Sequence, residues 1–100
     1  MTGRYIITME ELNRLRKREK IMLVDVREKE RYEKGHLQGA VCIPYNAGEE
    51  FFQRFVKGKI IVFYCERGNR SMKAATEMRK AGYTAYSLAG GYESFLRFKK

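Results

Sequence analysis

Cys65 stands where an apolar run, Ile60-Ile61-Val62-Phe63, gives way to the loop Tyr64-Cys65-Glu66-Arg67-Gly68-Asn69-Arg70-Ser71 and a helical pattern beginning near Ser71. A thiol at a strand-to-helix turn invites nucleophilic chemistry. Short residues and a glycine let the backbone curl around the sulfur, so that amide N–H groups and the positive end of the helix dipole point at it. Such a cradle favours the thiolate, the form of cysteine that attacks electrophiles. The amides from Glu66 to Ser71, that is Glu66, Arg67, Gly68, Asn69, Arg70 and Ser71, are the expected binding groups for an anion held on that sulfur. The Ser71 hydroxyl has two readings, as the cap that starts the following helix and as a contact to the sulfur.

The elements that must carry this loop alternate along the chain. Tyr5-Ile6-Ile7 reads as a first strand, and Thr8-Met9-Glu10-Glu11 as a capping box opening a helix with Met9, Leu12 and Leu15 on its buried stripe. Ile21-Met22-Leu23-Val24-Asp25-Val26 is almost continuously apolar, as a strand covered on both faces should be, and a short charged helix follows through Tyr32 to Gly35. Ala40-Val41-Cys42-Ile43 is a third strand stopped by Pro44. Phe51, Phe52, Phe55 and Val56 recur with helical spacing before Gly58 and form a core-facing helix side. After the strand Ile60–Tyr64, the helix from Ser71 turns Ala74, Ala75, Met78 and Ala81 inward and stops at Gly82. Thr84–Leu88 is the last strand, and Ala89-Gly90-Gly91 turns into a helix bearing Tyr92, Phe95, Leu96 and Phe98. This alternation predicts an α/β domain with a parallel sheet and helices on both faces, spanning residues 1–100. Ligands of such sheets bind beyond the carboxyl ends of the strands, where Cys65 falls.

Composition narrows the function classes. The net charge of +9 comes from 21 basic and 12 acidic residues, densest in Arg14-Leu15-Arg16-Lys17-Arg18-Glu19-Lys20. That block lacks interleaved aromatics, and the other basic residues run from Arg4 to Lys100, so a solvated face is favoured over a nucleic-acid site. The surplus attracts small anions and acidic protein partners. No apolar run is long enough to cross a membrane and no leader precedes the first helix, which predicts a cytoplasmic protein. Two cysteines and one histidine supply neither a disulfide framework nor a zinc site, so a reducing compartment is expected and neither metal nor cofactor is.

Three motifs together give the chain a resemblance to single-domain rhodaneses, the thiosulfate and persulfide sulfurtransferases. Val24-Asp25-Val26-Arg27, Tyr32, Gly35-His36-Leu37-Gln38-Gly39-Ala40 and Ile43-Pro44 resemble the first family signature, D-V-R…Y…G-H-I-x-G-A-x-N-I-P. Cys65–Ser71 resembles the active-site segment, and Leu88-Ala89-Gly90-Gly91-Tyr92 the closing one. The resemblance implies a five-stranded parallel sheet and a Cys65 that carries sulfur as a persulfide from thiosulfate, a persulfide or a polysulfide to cyanide or a thiol. It further implies that Arg70, with Arg67, holds an anionic donor or leaving group, and that Asp25 and Arg27 support the loop by charge pairing. A thioredoxin-like reductant or a sulfur carrier would be the acidic protein partner.

Other residues of these motifs read as structure. His36 has no partner discernible in the sequence and reads as a turn residue, Gly90-Gly91 as a tight turn near the site, and Cys42 as a small buried hydrophobe. The chain departs from the usual pattern at Cys42, where asparagine is common, at Tyr92, where tryptophan is frequent, and at Glu66, whose carboxylate opposes a dianionic donor unless it points away or pairs with Arg67. Two rivals remain. A persulfide carrier without turnover or a regulatory binding module would keep the same loop. A cysteine phosphatase or arsenate reductase would need Cys-x5-Arg, whereas four residues separate Cys65 from Arg70.

Overall fold

The computed structural model describes residues 5–46, 49–55 and 57–99; Arg4, Val56 and Lys100 lie outside them. The elements run β1 (Ile6–Ile7), α1 (Met9–Arg18), β2 (Ile21–Asp25), α2 (Lys29–Lys34), β3 (Val41–Cys42), α3 (Glu49–Phe52), β4 (Ile60–Tyr64), α4 (Asn69–Lys80), β5 (Thr84–Leu88) and α5 (Gly91–Phe98). The five strands form one sheet in the order β1-β5-β4-β2-β3, every pair parallel.

Period-two alternation along β4 explains the layering. Ile61 and Phe63 face one apolar cluster, with Ala74, Ala75 and Met78 of α4, while Val62 and Tyr64 face the other, with Met9 and Leu12 of α1. The central strand therefore needs helices on both faces, and it has them. The small alanines of α4 let that helix lie close to β4 and β5. Full burial of a residue such as Leu12 contributes about 1.5–3 kcal/mol. The α1 capping box forms as expected: the Glu11 N–H donates to Thr8 Oγ1 at 3.1 Å and the Thr8 N–H to Glu11 Oε1 at 2.8 Å. The basic block at the end of α1 lies against solvent, with Arg16 reaching the carbonyl of Gln38.

Three local expectations are corrected. The helix after the thiol loop starts at Asn69 rather than near Ser71, because Gly68, at φ +117°, turns the chain directly into it. Ala81 is exposed: it caps the C-terminus of α4, its N–H bonded to Glu77, and Gly82 at φ +95° then ends the helix. The aromatic segment is helical only over Glu49–Phe52 and then closes in tighter turns, Arg54 N–H to Phe51 O and Phe55 N–H to Phe52 O. Its core role stands, since Phe51, Phe55 and Phe63 pack with ring centroids 5.3–5.9 Å apart. Among the described residues no helix is long and apolar enough to cross a membrane.

Candidate active site

The carboxyl ends of β4 and β2 converge where α5 begins, and Cys65 lies at that junction, only 4% exposed. Its Sγ accepts the Gly68 N–H at 3.1 Å and the Ser71 N–H at 3.4 Å. The left-handed Gly68 turns these two amides toward one atom. Ser71 does not cap α4; its Oγ lies 3.5 Å from Sγ, 3.2 Å from the Gly68 carbonyl and 2.8 Å from Ser87 Oγ. Of the two readings of Ser71, the sulfur contact is the one seen. Ser87, absent from the sequence-based site, sits behind it on β5; a serine near the carboxyl end of a strand that aims at the thiol loop is the only signal the sequence carries.

The first turn of α5 clamps the loop from the other side. Tyr92 N–H donates to Cys65 O at 2.8 Å and Glu93 N–H to Glu66 O at 3.1 Å. Gly90 and Gly91 make the expected tight turn, both at positive φ, and a Cβ on Gly91 would collide with the carbonyls of Cys65 and Glu66. A glycine is needed here for close approach as well as for backbone conformation.

Beneath the loop lies a buried ion pair. Asp25 is fully buried and Arg27 4% exposed; Nη2 and Nε of Arg27 donate to Asp25 at 2.7 and 3.0 Å, and Nη2 also to Gly35 O at 2.6 Å. The guanidinium stacks 4.3 Å over the Tyr92 ring. Burial pulls the Arg27 pKa down, but the hydrogen bonds and charge of Asp25, helped by Glu66, outweigh it and leave it raised. Burial pushes the Tyr64 phenol up, and Tyr64 Oη accepts the Leu37 N–H at 3.0 Å. Arg27 Nη1 then reaches Glu66 Oε1 at 3.2 Å, and Arg31 meets the same oxygen at 3.4 Å. Glu66 thus pairs with Arg27 and Arg31, not with Arg67.

Above Cys65 opens a pocket of about 410 Å³. Of the loop residues Glu66, Arg67, Asn69 and Arg70 line it, together with Glu28, Arg31 and Glu93 from outside the loop, while Gly68 and Ser71 meet the sulfur through their amides instead. Arg70 lies 3.8 Å from Glu28, and Arg67 3.1 Å from Glu93. Glu28 and Arg31 stand at the start of α2, just after the carboxyl end of β2, the edge where a parallel sheet binds ligands. His36 is held within its own turn, Nδ1 2.8 Å from Tyr32 O and its ring stacked on Tyr32. Cys42, half-buried on β3, donates to Arg27 O at 3.7 Å.

Residues 8–97 match the rhodanese-like domain family. The Bacillus subtilis protein YqhL is 36% identical over 77 residues, covering 76% of this chain, which spans 61% of YqhL. The thiosulfate sulfurtransferase GlpE of Coxiella burnetii is 30% identical over 80 residues, covering 79% of this chain and 75% of GlpE. Among solved structures, the BH2092 protein of Bacillus halodurans superposes with a TM-score of 0.80 at 32% identity, covering 95% of this chain and 73% of that one.

Proposed function

The chain belongs to the rhodanese-like domain family, and on that premise we propose that it is a sulfurtransferase working through a persulfide on Cys65. The observation that carries the reading is the Cys65 sulfur at the pocket floor with the Gly68 and Ser71 amides aimed at it. The thiolate attacks the outer, sulfane sulfur of a donor such as thiosulfate, a persulfide or a polysulfide. A sulfur–sulfur bond forms to Cys65, the donor's own sulfur–sulfur bond breaks, and its electron pair leaves with sulfite or a thiolate. An acceptor, cyanide or a thiol, then attacks the outer sulfur and Cys65 departs as thiolate. Electrons balance without a redox partner.

In this scheme the amides of the loop and of the first turn of α4 hold the persulfide anion. Arg70, with Arg67, holds an anionic donor or leaving group at the mouth. Asp25 and Arg27 act through Glu66, setting the position of the loop rather than touching substrate. The natural acceptor would be a small thiol or an acidic protein such as a thioredoxin-like reductant or sulfur carrier, in the reducing cytoplasm.

The test is mass spectrometry of Cys65 after exposure to thiosulfate or a polysulfide, with cyanide added afterwards. Gain of one sulfur atom on Cys65, and its loss as thiocyanate, is the expected result. Absence of the adduct with every donor, in folded protein, would overturn the proposal.

A further inference from the structure

The chain carries a net charge of +9, yet the pocket over Cys65 is electrically balanced. Four arginines and three glutamates line it, and Asp25, buried beneath Arg27, takes up the remaining unit of positive charge. The balance is local and paired: Arg70 with Glu28 at 3.8 Å, Arg67 with Glu93 at 3.1 Å, and Arg27 and Arg31 with Glu66 at 3.2 and 3.4 Å. An anionic donor entering this pocket meets no arginine without a carboxylate already beside it. The dianion thiosulfate must displace at least one glutamate to gain a guanidinium, and the displaced carboxylate stays nearby to repel it.

We propose that Glu28 and Glu93 are specificity-determining residues which bias the site toward donors bearing a single negative charge, alkyl persulfides of the form R–S–S⁻, over dianionic oxoanion donors. This rests on the sulfur-transfer reading and narrows its donor class. A monoanionic persulfide needs only the amide cradle at the sulfur, which no carboxylate occupies. Both glutamates are partly exposed and their pairs are individually weak, so each shifts preference rather than blocking a donor. Glu28 also makes no side-chain cap to α2, so replacing it removes no helix bond.

The experiment compares the full chain with Glu28→Gln, Glu93→Gln and the double variant. Thiosulfate and 2-hydroxyethyl persulfide serve as donors to cyanide. Independently, the rate of Cys65 alkylation by anionic iodoacetate is divided by that for neutral iodoacetamide, read by peptide mass spectrometry. Each substitution should raise the thiosulfate-to-persulfide ratio of kcat/KM, and the iodoacetate-to-iodoacetamide ratio, by about two- to fivefold, with larger changes in the double variant. An alkylation ratio unmoved in the double variant, or a wild-type protein that prefers thiosulfate, would overturn the proposal. Wild-type protein that alkylates normally but transfers sulfur from neither donor would instead overturn the functional reading on which the donor class rests.

Discussion

Arg27 Nη1 donates to Glu66 Oε1 at 3.2 Å, joining a guanidinium anchored on buried Asp25 to the residue that follows the candidate nucleophile. The link spans 39 residues of sequence and fixes the Glu66 side chain toward β2 and α2. It turns a carboxylate beside the thiol into part of the loop's mooring.

Replacing Arg27 with methionine should therefore destabilise the fold by about 3–5 kcal/mol, because Asp25 is left as an uncompensated buried charge. Urea denaturation measures it. Adding Asp25→Asn should recover part of the loss, whereas the release of Glu66 should persist as lowered sulfur transfer in the double variant. Equal stability of Arg27→Met and wild type would contradict the reading of Arg27 as the buried anchor.

Gly91→Ala places a methyl against the carbonyls of Cys65 and Glu66 in a backbone held at φ +59°. Left-handed strain alone costs about 1 kcal/mol, and relief of the clash must move the thiol loop or the start of α5. Gly58→Ala is the control, since Gly58 has φ +93° but open space around its Cβ position. Thermal melts should show a loss for both variants, and a sulfur-transfer assay a loss for Gly91→Ala alone.

The legible and illegible parts of this chain divide by range. The apolar runs of β2, β4 and β5, the Thr8/Glu11 box and the thiol loop were readable because their signals are local, and motif order gave the family. The Asp25–Arg27 pairing was anticipated only in kind. Whether Glu66 pairs, and with what, is open in the sequence, because Arg27 and Arg31 reach it across the sheet edge, which no spacing in the sequence encodes. The same holds for Glu28 and Glu93, ordinary charged residues of helix starts until folding sets them at the rim of one pocket. The start of α4 was misplaced by two residues because the sequence shows that Gly68 is permissive, not that it adopts φ +117°.

Arg70→Ala should lower kcat/KM for thiosulfate by about three- to tenfold, below the full value of a charge-assisted hydrogen bond because Arg70 is half exposed and faces Glu28. Cys65 keeps the Gly68 and Ser71 amides in this variant, so its alkylation by neutral iodoacetamide should be unchanged. Unchanged thiosulfate kinetics would remove Arg70 from donor binding.

The second thiol supplies a test by pH. Burial, and then the charge of Asp25, hold the Cys42 thiol above its ordinary range, and its S–H donates to Arg27 O at 3.7 Å. A folded-state pKa above that of the unfolded chain means that the native state retains the proton more tightly. The resulting stability is complete below the ordinary thiol range and is lost as pH rises through it toward the folded value. Urea midpoints of the wild type should therefore fall as pH rises above the ordinary thiol value of about 8.5, and Cys42→Ala should flatten that decline. Because Cys42 Sγ bonds the Arg27 backbone carbonyl and Cys42 is not among the residues that line the pocket, Cys42→Ser should remain folded and transfer sulfur, while Cys65→Ser should not. Loss of transfer in folded Cys42→Ser would show that the two thiols act as a pair.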